Sequence, residues 1–340
     1  MIPFPLSLLL LPAAALAGVL YVALERVRSD QARRFGRIAI LAITWASPLA
    51  SQGPGPAQLT LGLLVGYLGI RMVALRERWR LNRLPPSASQ VFKAMVIPEE
   101  LLVVAPAPAP TLWGSPAQPV KQRASLLLLR GLAAAAACVG LLVLGNQLRI
   151  WQWSRALDDL LVLAEVAVGT MGVHQIIVGS AGLAGRQVLG LQDQPILSAS
   201  LCQFWARRWN RLVQANLDRG FFRPYGRRRQ WALGTLTAFT ASGMMHVIAV
   251  LDTERPALTL APSVAVMAFF LIHGALVLAE RRLGWHRQPQ KASALMLARM
   301  RTIALFALLS PLLLDPFANV VHVHGRTLNS WGTHEGQPRL

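Results

Sequence analysis

The sequence predicts an all-α integral membrane protein in which about eight transmembrane helices enclose an intramembrane chamber. Three observations carry the membrane-helical part of that expectation. Hydrophobic residues make up 54% of the 340-residue chain and charged residues only 14%, against roughly 25% charged in soluble domains. The apolar residues gather into runs close to the ~20 residues that cross a bilayer as a helix. The cations behind the formal net charge of +19 fall mostly in alternate links between those runs. A charge that large can also mark a nucleic-acid partner. Its confinement to alternate links is instead what an excess of Lys and Arg in cytoplasmic loops produces, so no nucleic-acid partner is expected.

Taken in order, the candidate spans are 4–24, 38–51, 59–75, 124–146, 160–182, 231–251, 259–280 and 302–318. The first has no basic residues before it and a cluster of Arg after it, which fits a retained membrane helix rather than a cleaved leader. The second is short and ends near Pro48, as a half-span or a tilted segment does. Gln52-Gly53-Pro54-Gly55-Pro56 breaks the chain before the third span. There, Gly62 and Gly66 form a small-xxx-small pair suited to close helix contact.

Basic residues follow the first, third, fifth and seventh spans: Arg26 to Arg37, Arg76 to Arg123, Arg186 to Arg229, and Arg281 to Lys291. The links 52–58, 147–159 and 252–258 hold few. That alternation places the basic links in the cytoplasm and both termini on the other side. Richness in Ala, Arg and Leu inclines the placement to a bacterial cytoplasmic membrane over the endoplasmic reticulum. The link 84–120 is Pro-rich and contains Ala105-Pro106-Ala107-Pro108-Ala109-Pro110, an extended spacer on the cytoplasmic side. Within it, the patch Val91 to Val104 is a candidate for the membrane surface. There is no internal repeat, and the chain reads as one polytopic domain over 1–340. Cys138 and Cys202 imply neither a disulfide framework nor a zinc site.

Two stretches carry chemistry. In the sixth span, Thr235, Phe239, Ser242 and His246 recur at three- and four-residue spacing and share a helix face. Lipid cannot satisfy a polar stripe, so that face should turn to the protein interior or to a wet cavity. His246 lies 15 residues past Trp231, about 22 Å along the axis. There it is either a hydrogen-bonding link between helices or a general base toward a hydroxyl.

The second stretch, 198–217, reads as an amphipathic helix after Pro195. Leu201, Phe204, Trp205, Trp209 and Leu212 lie on one side and Gln203, Arg207, Asn210 and Gln214 on another. Trp and Arg together suit an interfacial anchor. The alternative sets Arg207 and Arg208 against the phosphates of an anionic ligand, with Asn210 facing the chamber. Glu165 and His174 in the fifth span are candidates for a polar pair or, with His246, a proton relay of a transporter. His322, His324 and His334 are too loosely patterned for a metal site, and none is expected.

These residues also carry a resemblance. The stretch Gln194 to Asn210, QPILSASLCQFWARRWN, resembles the signature of the wax synthase branch of the membrane-bound O-acyltransferases. It is followed by Ser242-Gly243-Met244-Met245-His246, which sets His246 36 residues after Asn210, and then by Phe269-Phe270-Leu271-Ile272-His273-Gly274 and Glu280. Glu165 resembles an acid that precedes the signature. Ile196 stands where an aromatic residue is usual, Gln203 where an acid is usual, and Ala206 where Gly is usual. The resemblance covers about 160–316, a wax synthase-like catalytic core.

It implies transfer of a fatty acyl group from acyl-CoA to the hydroxyl of a lipophilic alcohol, either a long-chain alcohol or a terpenoid, sterol or other secondary metabolite. His246 matches the catalytic base and Asn210 the second catalytic polar residue. Trp205, Arg207, Arg208, Trp209 and Ser242 are the substrate-binding candidates. Acyl-CoA enters as donor substrate, membrane lipids surround the chain, and no permanently bound cofactor is implied.

Overall fold

The computed structural model describes residues 2–52, 55–82, 86–96, 120–184, 191–226, 229–253, 260–287 and 289–321. The Ala-Pro run at 105–110, Arg186, Arg227, Arg228 and the three C-terminal histidines lie outside them. The principal helices are α1 (Leu10–Ala23), α2 (Asp30–Ala46), α3 (Gly55–Asn82), α4 (Ala88–Val96), α5 (Val120–Leu148), α6 (Arg155–Leu183), α7 (Arg211–Leu217), α8 (Trp231–Thr253), α9 (Leu260–Arg282), α10 (Ala292–Leu309) and α11 (Pro311–Val321). Extended pairing among the described residues is confined to a two-residue parallel contact of Ile2–Pro3 with Ser51–Gln52.

The protein is an all-helical integral membrane protein. Among the described residues six helices, α3, α5, α6, α8, α9 and α10, are long and apolar enough to cross a membrane, two fewer than the sequence predicts. Helix α1 has 14 residues, about 21 Å at 1.5 Å per residue, against a hydrocarbon core of ~30 Å. The expected second span is the back half of α2, an amphipathic helix that starts far earlier. It begins at Asp30 because the Ser29 hydroxyl accepts the Ala32 N–H at 3.3 Å. The expected last span is divided between α10 and α11. Pro311 cannot continue the hydrogen-bond ladder of α10, and Ser310 Oγ donates to the Ala307 carbonyl at 2.8 Å.

Helix α3 is the axis of the fold. Leu61, Val65, Ile70, Met72 and Leu75 are almost wholly buried along it. One flank meets α8, where a Cβ on Gly62 would lie 2.7 Å from Ala249 Cα and one on Gly66 2.7 Å from Met245 Cγ. The small-xxx-small pair therefore lets two spans meet at backbone distance.

On its other flank, α3 packs on α1, beneath which α4 tucks the buried Val91, Ala94 and Met95. The first half of the predicted surface patch is thus part of the core. Buried Arg71 fixes α4 by donating from Nε to the Ala94 carbonyl at 2.6 Å. Helix α5 runs along α6 at the periphery. Leu129, Leu132 and Val139 there are more than half exposed, which is the surface a bilayer covers.

Glu25 ties the end of α1 to its neighbours. Arg76 Nε donates to it at 2.6 Å and Arg37 pairs with it as well. Partial burial pushes the carboxyl upward, but Arg76 and Arg37 outweigh that and hold it below the ordinary carboxylate range.

Candidate active site

The stretch 198–217 is not one amphipathic helix. A short helical turn, Leu201–Gln203, passes into a π-turn over Phe204–Arg208, closed by the Trp209 N–H on the Phe204 carbonyl at 2.9 Å. Trp209 is extended, Asn210 is left-handed at φ 41°, ψ 61°, and α7 then starts. Wide turns of this kind gather at functional sites because they rotate side chains out of the 3.6-residue register. Here Trp205, Trp209, Asn210 and Gln214, which a regular helix would divide between two faces, line one wall.

Several contacts hold this broken segment. The buried carboxylate of Glu280 on α9 accepts the N–H groups of Leu201 and Cys202, both at 3.0 Å, and Ser200 Oγ accepts the Gln203 N–H. Gln203, at the position where the signature has an acid, accepts the Ala199 N–H through Oε1 at 2.8 Å. Arg208 Nη1 donates to the carbonyls of Asp193 and Gln194 at 2.9 and 3.2 Å, and the Arg211 N–H reaches the Leu191 carbonyl. His174 Nδ1 accepts the Gln192 N–H at 3.1 Å, which fastens the same loop to α6.

Trp205 packs among Phe239, Phe269, Phe270 and Phe306. Phe204 stacks on Trp209 at 5.5 Å.

A cavity of about 430 Å³ opens beside this segment, within the range of small-molecule sites. Its wall includes Trp205, Trp209 and Asn210, together with Thr235, Phe239, Ser242 and His246 from α8. Helices α3, α6, α9, α10 and α11 add apolar residues.

His246 Nδ1 lies 2.7 Å from the Ser242 carbonyl. A carbonyl only accepts, so Nδ1 carries the proton and Nε2 keeps its lone pair. The ring is flanked by Phe270 at 4.6 Å and Phe317 at 5.9 Å. Asn210 Oδ1 caps α7 by accepting the Val213 N–H at 3.3 Å. That leaves the NH2 end of the amide without a protein acceptor among the described residues. A base and an amide donor thus share one chamber.

Other candidates fall elsewhere. Arg207 is exposed and, like Arg208, is not in the cavity wall. His273 is fully buried, its Nδ1 donating to the Phe269 carbonyl at 2.9 Å, and it packs against Trp205 at 5.5 Å. Its Nε2 and the Trp205 Nε1 are both buried without hydrogen-bond partners among the described residues. Glu165 is buried outside the cavity wall, nine residues from His174, or about 13 Å along α6. With His174 engaged by Gln192, the geometry does not favour a proton relay.

Sequence reasoning missed Asp218 and Arg281, the one carboxylate and the one cation among the described wall residues. Arg223 Nε donates to Asp218 at 2.6 Å, and the Arg281 guanidinium lies over the Trp231 ring at 5.1 Å. Cys202 also lines the wall. Burial pushes its thiol up, which makes it a poor nucleophile.

Residues 190–272 match the model of the membrane bound O-acyl transferase family. This segment is thus similar to the membrane-bound O-acyltransferases. The named relatives support a likeness to the wax synthase branch of that family. The chain is 29% identical over 170 residues to a probable long-chain-alcohol O-fatty-acyltransferase 1 of Arabidopsis thaliana, covering 45% of this chain and 49% of the relative. It is 32% identical over 119 residues to the long-chain-alcohol O-fatty-acyltransferase of Simmondsia chinensis, covering 31% and 33%. It is also 28% identical over 145 residues to an acyl-CoA–sterol O-acyltransferase 1 of Arabidopsis thaliana, covering 39% and 41%.

The chain thus spans about half the length, or less, of these relatives. All three are plant proteins and lend no support to bacterial placement. Both Asn210 and His246 lie inside the matched segment, whereas Glu280 and Arg281 lie just beyond it.

Proposed function

We propose that this protein transfers a fatty acyl group from acyl-CoA to the hydroxyl of a lipophilic alcohol within the bilayer. The observation that carries the reading is His246 Nε2, left as an acceptor by the Nδ1 bond to Ser242, in a cavity that also receives Asn210. In this scheme Nε2 takes the proton of the acceptor hydroxyl as its oxygen attacks the thioester carbonyl. The Asn210 amide donates to the carbonyl oxygen as negative charge gathers there. Collapse of the tetrahedral adduct breaks the C–S bond, and the proton passes from the imidazolium to the departing thiolate. Ester and free CoA result, with no cofactor consumed.

Trp205, Trp209, Phe239 and Ser242 form the wall against which acyl chain and acceptor pack. The apolar character of that wall excludes water, which would otherwise hydrolyse the thioester. A long-chain alcohol is the acceptor that two of the named relatives favour, and a sterol is the alternative from the third.

The test is ester formation by membranes containing the protein, supplied with labelled acyl-CoA and a long-chain alcohol or a sterol. General-base catalysis is worth roughly 10²–10⁴-fold, so His246→Ala should lower the rate at least a hundredfold at equal protein level. Full activity in that variant would refute the assignment of the base.

A further inference from the structure

The donor in the proposed reaction carries its negative charge far from its thioester, and the cavity wall holds a single cation among the described residues. We propose that Arg281, resting on Trp231, forms the subsite for the phosphates of the CoA donor. The inference rests on the acyl-transfer reading for the identity of the ligand and on independent geometry for its position.

Arg281 is near the end of α9 and Trp231 begins α8, so the pair sits where the two spans reach the basic side. Arg281 is 11 residues past Phe270, whose ring lies 4.6 Å from His246. That is about 16 Å of helix axis at ~1.5 Å per residue, a span of the order of an extended pantetheine arm. A thioester beside His246 therefore sets its diphosphate near Arg281.

A guanidinium held over an aromatic face keeps its edge N–H groups free for bidentate phosphate contact. The opposing Asp218 charge is engaged by Arg223, which leaves the Arg281 charge to dominate the mouth. Arg207, exposed, and Arg208, turned back to the carbonyls of Asp193 and Gln194, are not in the wall.

The experiment is binding of CoA, and separately of phosphate-free pantetheine, to the purified full chain, with acyl-transfer kinetics on the same samples. Arg281→Gln should weaken CoA binding by roughly 10- to 100-fold, the loss of a hydrogen-bonded charge. It should leave pantetheine binding and the melting temperature unchanged, and Arg281→Lys should fall between the two. Arg207→Gln should bind CoA like the parent. If Arg281→Gln binds CoA normally, or loses pantetheine equally, the subsite is refuted even where esters still form. If CoA binding depends on Arg281 but no alcohol is acylated, the subsite stands and the acyl-transfer reading falls.

Discussion

At the residue scale, two side chains carry the proposed chemistry and a third sets the geometry. The ring of His246 is oriented by a carbonyl one turn earlier on its own helix, a bond that needs no partner helix. Asn210 occupies a left-handed backbone position that Asn tolerates better than most residues, and it caps α7 with the oxygen of its amide. Glu280 is the geometric element, because both its oxygens receive N–H groups from the start of the signature segment. In Glu280→Gln the NH2 end of the amide cannot accept, so one buried N–H loses its partner. That should cost about 1–3 kcal/mol, read as a lower melting temperature together with slower transfer. An unchanged melting temperature would show that the capping geometry contributes nothing.

At the element scale, the contact of α3 with α8 holds the wall that bears His246. Gly62→Leu would drive a side chain into the Ala249 backbone. Overpacking of this kind costs about 1–3 kcal/mol or more, measurable as lower yield of folded protein and an earlier thermal transition.

The tie at the end of α1 has a definite pH dependence. The Glu25 carboxyl is held low in the folded chain, so its stabilisation is present above the ordinary carboxylate range and is lost as pH falls through the folded value. Glu25→Gln should therefore melt earlier than the parent at neutral pH, and the gap should close on acidification. A gap independent of pH would contradict the ion cluster.

The same scale separates what was legible from what was not. The stripe Thr235, Phe239, Ser242 and His246 could be read because α8 is regular and its polar residues stand out against an apolar background. The break at Trp209 and Asn210 could not. A helical wheel assumes a constant turn, whereas a π-turn followed by a left-handed residue leaves no periodic trace. The early start of α2 did have a signal, in Ser29-Asp30. So did the division before α11, in Pro311.

At the scale of the whole molecule, the long apolar helices α3, α6, α8, α9 and α10, with the shorter α7 and α11, line a chamber that opens beside the signature segment, while α5 stays at the periphery. Arg281 was hidden in the sequence because the general excess of cations in alternate links explains any single one of them. Only its place in the wall sets it apart from Arg207, Arg208 and the other basic residues.

The central claim is that one chamber couples thioester cleavage to ester formation through His246. The most direct measurement follows free CoA and ester together in the purified protein, for the parent and for His246→Ala. The account predicts equal molar amounts of both products in the parent, and both falling together by roughly a hundredfold or more in a variant with unchanged melting temperature. CoA release without ester, or ester from the variant at the parental rate, would contradict it.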